Sequence, residues 1–210
     1  MTTMTPDEHA RVTDAIRAAE EKTAGEIYCV VARSSDSYFL PAAFTLIVAM
    51  LAASLAVAFA LEQWWTSLRL PVFVAAQMLA LAGALAILWF APGLRIHLTP
   101  RQLRYRRAHD NARKQFLARN VHITTARTGV LIFVSLAERY AEIVADSGIN
   151  AHVPQSVWDR VVADLIAQAR RNQLADGFVA AIATVGALLA GHFPRLPENE
   201  NELDDHLVEL

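Results

Sequence analysis

The 210-residue chain has one cysteine, Cys29, and that scarcity removes two options at once. No internal disulfide can form, and a cysteine-based zinc site would need more thiolates. Cys29 stands within an apolar run and reads as a small buried hydrophobe. Charge of one sign is equally scarce. The 19 Lys and Arg against 21 Asp and Glu leave a net charge of −2, which gives no global reason to expect nucleic acid. The seven histidines are scattered without HExxH spacing, and no P-loop pattern occurs. The first 38 residues lack the apolar core of a signal peptide and carry Asp7, Glu8, Asp14, Glu20, Glu21 and Glu26 instead. Two long runs, Phe39 to Leu61 and Leu70 to Leu94, have no charged residue at all.

What is present begins with those two runs. Hydrophobic residues make up 54% of the chain, and the excess is concentrated there. Roughly 20 apolar residues cross the hydrocarbon core as a helix, so both runs qualify as spans, over about 39–61 and 70–92. The loop between them holds Trp64 and Trp65, the aromatic pair expected at a membrane interface, and Arg95 follows the second span at the other interface. Arg101, Arg104, Arg106, Arg107, Arg113, Lys114 and Arg119 come next, whereas the connecting loop has only Arg69. Retention of Lys and Arg on the cytoplasmic side places both termini there, in the inner membrane of a bacterium. No ionisable residue lies inside either span, which argues against a pore built from the hairpin.

The flanking segments then share one compartment and can form one soluble domain with the hairpin, 39–94, inserted into it. Residues 1–38 supply its first part. Thr5, Pro6 and Glu8 form a helix start, Gly25 ends that helix, and Glu26 to Ala32 follows as a strand. Residues 95–194 supply the rest. Thr99-Pro100 opens a helix with Ala108, Ala112 and Phe116 on one face and arginines around it, a basic face suited to anionic lipid headgroups. Val130 to Val134 is a strand buried on both faces. Ala137 and Glu138 turn the chain, and Tyr140 to Asp146 return antiparallel. Pro154 opens a helix with Val157, Val161, Leu165 and Ile166 inward, and Asp176 is the expected cap of a last helix, Gly177 to His192. That helix is apolar but short for a third span. The tail 195–210 has six carboxylate residues and no apolar period, so it is expected to be mobile.

The order "TAGEIYCVV", "TGVLIFVSLAERYAEIVADSGI", then two helices with "DGFVAAI", resembles the TPM domain family. That family is named for a thylakoid acid phosphatase, a photosystem II repair protein and an accessory subunit of an acetylcholine receptor. The resemblance takes in everything except the hairpin and the tail. It implies an α/β fold, a small mixed sheet sandwiched by helices, here interrupted by a transmembrane hairpin. It also implies a divided function, because some relatives are phosphatases and others are assembly or accessory factors. Relatives that bind calcium raise the same expectation of a divalent cation here.

The chemistry in these residues is thin. No catalytic residue can be named. Glu142 and Asp146 share a strand face but stand about 13 Å apart at ~3.3 Å per residue. A metal set would need Asp36 beside them, since a hard cation takes oxygen ligands from several loops. Ser34 and Ser35 read as turn residues. Arg127, Glu138 and Arg139 flank the strand hairpin and are the candidate partner-binding rim. The expected function is an interaction or assembly module held at the cytoplasmic face of the inner membrane, partnered by the lipid bilayer and another membrane protein, with no nucleic acid. Non-enzymatic action is preferred. The alternative is a metal-assisted phosphatase acting on phosphomonoesters through Asp36 and Asp146.

Overall fold

The computed structural model describes residues 4–63, 69–124, 127–195 and 206–210. In chain order the elements are α1 (Pro6–Glu20), β1 (Glu26–Ala32), α2 (Phe39–Gln63), α3 (Leu70–Phe90), α4 (Pro92–Leu98), α5 (Arg101–Ala118), a 3-10 turn (Val121–Ile123), β2 (Gly129–Ser135), β3 (Tyr140–Ala145), α6 (Ser147–Asn150), α7 (Gln155–Arg170), α8 (Leu174–His192) and β4 (Leu207–Glu209). They fall into two compact units. One joins the chain up to Ser35 with the chain from Tyr105 onward, and the other is Asp36–Arg104.

The first unit is built on a mixed sheet in the order β3-β2-β1-β4. β1 pairs in parallel with β2 from Glu26↔Gly129 to Ala32↔Ser135, and β2 pairs antiparallel with β3. Both central strands are buried along their whole length, which is why each reads as an unbroken apolar run and not as an alternation. One face of the sheet (Ile27, Cys29, Val31, Val130, Ile132) packs with side chains of α1, α7 and α8. The opposite face (Tyr28, Val30, Leu131, Phe133) packs with Ala112 and Phe116 of α5 and with Val121. This is the α/β sandwich expected from sequence.

Local chemistry accounts for the helix starts. Thr5 and Glu8 form a complete capping box at α1, and hydrogen bonding from the Thr5 main chain holds the Glu8 carboxyl below its ordinary range. α8 begins at Leu174, upstream of the expected Asp176 cap, and Asp176 instead pairs with Arg11 of α1. Close approach then decides the composition of α8. A Cβ on Gly186 would lie 2.6 Å from Ala19 Cβ, so α1 can lie against α8 only over a bare α-carbon. The tail is a second correction. Residues 207–209 are not loose but form β4, paired in parallel with Cys29–Val31. Residues 196–205 lie outside the described residues.

The second unit is a helical hairpin. Ala42, Ala43 and Leu88 form its small core, and Arg95 is fixed there, its guanidinium donating to Leu88 O and Trp89 O (2.8 Å each) and lying 5.4 Å from the Phe39 ring centre. By length and composition three helices among the described residues could cross a membrane, α2, α3 and α8. Their most apolar windows are 0%, 6% and 44% buried respectively, so the apolar character of α8 is partly explained by the core and that of α2 and α3 is not. Trp64 and Trp65, the expected interfacial pair, lie outside the described residues.

Two outcomes follow. Burial, with the nearby Glu20 charge second, pushes the Cys29 thiol well above its ordinary range, so the native protein should resist alkylation by iodoacetamide and react once denatured. A Cβ at Gly129 would fall 2.0 Å from Val121 O, so Gly129→Ala should cost at least about 1–3 kcal/mol and lower Tm by several degrees in a thermal melt.

Candidate functional site

Parallel pairing brings the carboxyl ends of β1 and β2 side by side, the position where open α/β sheets commonly place ligands. The two chain exits are tied together: Leu136 N–H donates to Ala32 O and Ala137 N–H to Arg33 O, both at 3.0 Å. The turn into β3 closes with Arg139 N–H donating to Leu136 O (3.1 Å), with Arg139 at φ 53°.

Glu138, within this turn, is only 2% exposed. Its Oε1 accepts from Ser35 N–H (2.8 Å) and from the Ser34 hydroxyl (3.3 Å), while Oε2 accepts from the Ser135 hydroxyl. Ser35 Oγ lies 2.8 Å from Ser135 Oγ and accepts from Asn111 Nδ2 of α5 (3.4 Å). The result is a buried polar knot joining β1, β2, the hairpin turn and α5. Beside it is a cavity of about 320 Å³ whose lining includes Val134, Ser135, Leu136, Leu165, Arg139 and Arg170. Its apolar floor and few polar groups are typical of a small-molecule pocket, at the lower end of their sizes.

A second cluster lies on the α5 face of β3. The Glu142 carboxylate lies 2.9 Å from His109 Nδ1 and accepts from Tyr140 O–H at 2.9 Å, and the Tyr105 and Tyr140 rings sit 5.4 Å apart. Burial, then the Glu142 charge, raise the Tyr140 phenol well above its usual range. At the far end of β3, Asp146 caps α6: Oδ1 accepts from Ser147 N–H (2.6 Å), and its own N–H donates to Gly129 O (2.9 Å). Asp146 Oδ2 is buried with no hydrogen-bond partner among the described residues.

The expected metal set is therefore not assembled. Asp36 belongs to the helical unit and accepts from Ser37 N–H (2.6 Å), Glu142 faces His109 and Tyr140, and Asp146 is a cap. Among the described residues no three His, Cys, Asp or Glu side chains are grouped to hold a metal ion, and a calcium site takes six to eight oxygen ligands. The expected rim is also divided. Arg127 (φ 52°, exposed) stands before β2 and Arg139 after it, so the seven residues of β2, about 23 Å at ~3.3 Å each, separate them. Glu138 is buried and not on a rim. Sequence reasoning missed His109 and the serines. Helical spacing places Tyr105 and His109 on the α5 stripe that includes Ala112 and Phe116, which would have flagged them. Ser135 stands three residues before Glu138, but nothing local links Ser34 or Ser35 to it.

Glu138→Ala should leave three donors without an acceptor and cost about 1–3 kcal/mol, read as a lowered Tm, with Glu138→Gln milder. Tyr140 predicts a pH dependence. Its folded value lies above the ordinary value near ~10, so the unfolded chain ionises first. The stability it contributes is intact below about pH 10 and falls as pH rises above it. Glu142→Gln should bring its ultraviolet titration part of the way down, leaving the larger effect of burial in place.

Residues 93–188 match the family model described as TPM domain. The NMR structure of the BA42 protein from the psychrophilic bacterium Bizionia argentinensis matches with a TM-score of 0.60 at 19% identity, covering 99% of this chain and 96% of that one, a likeness of fold. No curated protein matches the chain. The sandwich and the mixed sheet agree with that likeness of fold, and residues 93–188 are the stretch that is similar to the TPM domain.

Proposed function

We propose that this chain is a TPM-domain protein acting as an interaction or assembly module, anchored in a bacterial inner membrane by α2 and α3, with both termini cytoplasmic. The observation that carries the module reading is the state of the carboxylates. Glu138, Glu142 and Asp146, the acidic groups of the β2–β3 turn, of β3 and of its exit, are each bound to serines, His109 with Tyr140, or a helix start, and are not gathered around open space. A site built this way presents a shaped surface with Arg139 exposed beside Glu138, which suits recognition better than turnover. Membrane anchoring is supported by the almost wholly exposed apolar windows of α2 and α3, and orientation by the arginines that follow the second span.

One observation favours a second reading, phosphatase action on phosphomonoesters: the unpartnered buried Oδ2 of Asp146. The full-length protein in detergent separates the two. Purified from its native membrane, it should bring down a stoichiometric partner and show no hydrolysis of p-nitrophenyl phosphate with or without calcium or magnesium. Metal-dependent turnover abolished by Asp146→Asn would replace the module reading with the phosphatase. Terminal tags reached by protease from the same side of inverted vesicles would support the anchoring.

A further inference from the structure

The outer edge of β1 is closed in two pieces. Near its start, Ile27 N–H donates to Glu20 Oε1 of α1 (2.7 Å). Further along, Cys29, Val30 and Val31 face Leu207, Val208 and Glu209 in parallel register. Leu210 N–H donates to Val31 O (2.8 Å), and Arg33 N–H donates to Leu210 O (3.0 Å). Two side chains on one face of β4 hold it in place. Leu207 is 4% exposed within the α1 side of the core. Glu209 Oε1 accepts from Met4 N–H and lies 2.9 Å from His9 Nε2, with Met4 N–H also at 2.9 Å.

We propose that this edge is a docking site for an extended segment of a partner protein in which an apolar residue is followed two positions later by a carboxylate, and that residues 206–210 occupy it in the free chain. The inference deepens the interaction-module reading and rests on it. Main-chain hydrogen bonds along a strand edge accept any extended sequence and supply affinity, while pockets for alternate side chains supply specificity. Here the pockets are an apolar socket for the first residue and an amide with an imidazole for the carboxylate. The surroundings suit a segment with a carboxylate: His9 and exposed Arg33 border the edge, and the resident 206–210 carries Glu209 there. Displacement is mechanically simple. β1 pairs with β2 over seven positions and with β4 over three, so losing β4 leaves the central pairing whole. The tethered tail competes at an effective concentration on the order of mM, which keeps the edge closed until a partner with the same pattern arrives.

The test titrates a fluorescent peptide with the sequence of residues 201–210 into the full-length protein in detergent and into the same protein lacking residues 206–210. Binding at least ~10-fold tighter to the shortened protein is expected, with a further ~10-fold loss when alanine replaces the peptide residue equivalent to Glu209. A shortened protein that melts cooperatively yet fails to bind, or that binds the alanine peptide equally well, overturns the proposal. Should the deletion unfold the protein, intact Glu209→Ala, which loosens the tail and leaves His9 and the Met4 N–H in place for the peptide, must bind the peptide more tightly than wild type, and equal binding overturns the proposal. Light scattering that shows wild-type dimers dissolved by the deletion would give the edge to a second copy and reject a distinct partner. Each of these outcomes is separate from failure of the module reading, which is seen as the absence of any co-purifying partner.

Discussion

β1 and β2 pair in parallel over seven positions although α2, α3, α4 and α5 all lie between them in sequence. Every other feature of the sheet depends on that pairing, and it constrains what may be inserted. A chain that leaves one strand and returns to its neighbour must start and finish on the same side of whatever it crosses, so only an even number of membrane crossings is compatible with the sheet. α2 and α3, each long and apolar enough to cross, are an even pair. A third crossing by α8 would remove from the core the helix that carries Phe178, Ile182, Val185 and Leu189, all fully buried. The apolar, glycine-containing sequence of α8 thus has a cause in packing against α1 and α7, and α2 and α3 have no comparable internal cause.

The same pairing aligns the exits of two strands, and exits are where main-chain groups run out of ladder partners. Glu138 meets that need by binding Ser35 N–H from the hairpin turn, and the serine hydroxyls complete its lone pairs. A carboxylate in a short turn would ordinarily be solvated. Its burial here follows from the α5 helix and the β1 exit closing over it, and Asn111 bonding to Ser35 is the visible link.

Much of this was legible in the sequence wherever a signal is local. The unbroken runs of β1 and β2, the short hairpin to β3, the capping box of α1 and the Pro154 start of α7 each rest on residues within a few positions of one another. What was not legible depends on partners far along the chain. Leu207–Glu209 is too short for any period to show and acquires its structure only from Cys29–Val31. Glu138 looked like a solvated turn residue because the Ser34 and Ser35 that bury it stand about a hundred positions upstream. Glu142 and Asp146 were expected to share a strand face, yet β3 ends at Ala145, and that alternation says nothing about the His109 that claims one or the helix start that claims the other.

The carboxylates of the sandwich show a common pattern that bears on the choice between recognition and catalysis. Glu20 binds Ile27 N–H, Glu138 binds Ser35 N–H, Asp146 binds Ser147 N–H and Glu209 binds Met4 N–H. In each case the donor is a main-chain group at a strand edge, a strand exit, a helix start or the approach to α1, places where no ladder or helix partner is available. Charge-assisted hydrogen bonds are roughly twice as strong as neutral ones, so an acid is an effective way to satisfy such a donor. Acidic residues near strand ends are then expected in this fold for structural reasons alone, and their presence does not argue for a hydrolytic centre. The distinguishing evidence is an acid atom left over after the structural donors are served. Asp146 Oδ2 is such an atom, whereas both oxygens of the more conspicuous Glu138 and Glu142 are served, so of these three Asp146 is the one open to a catalytic reading.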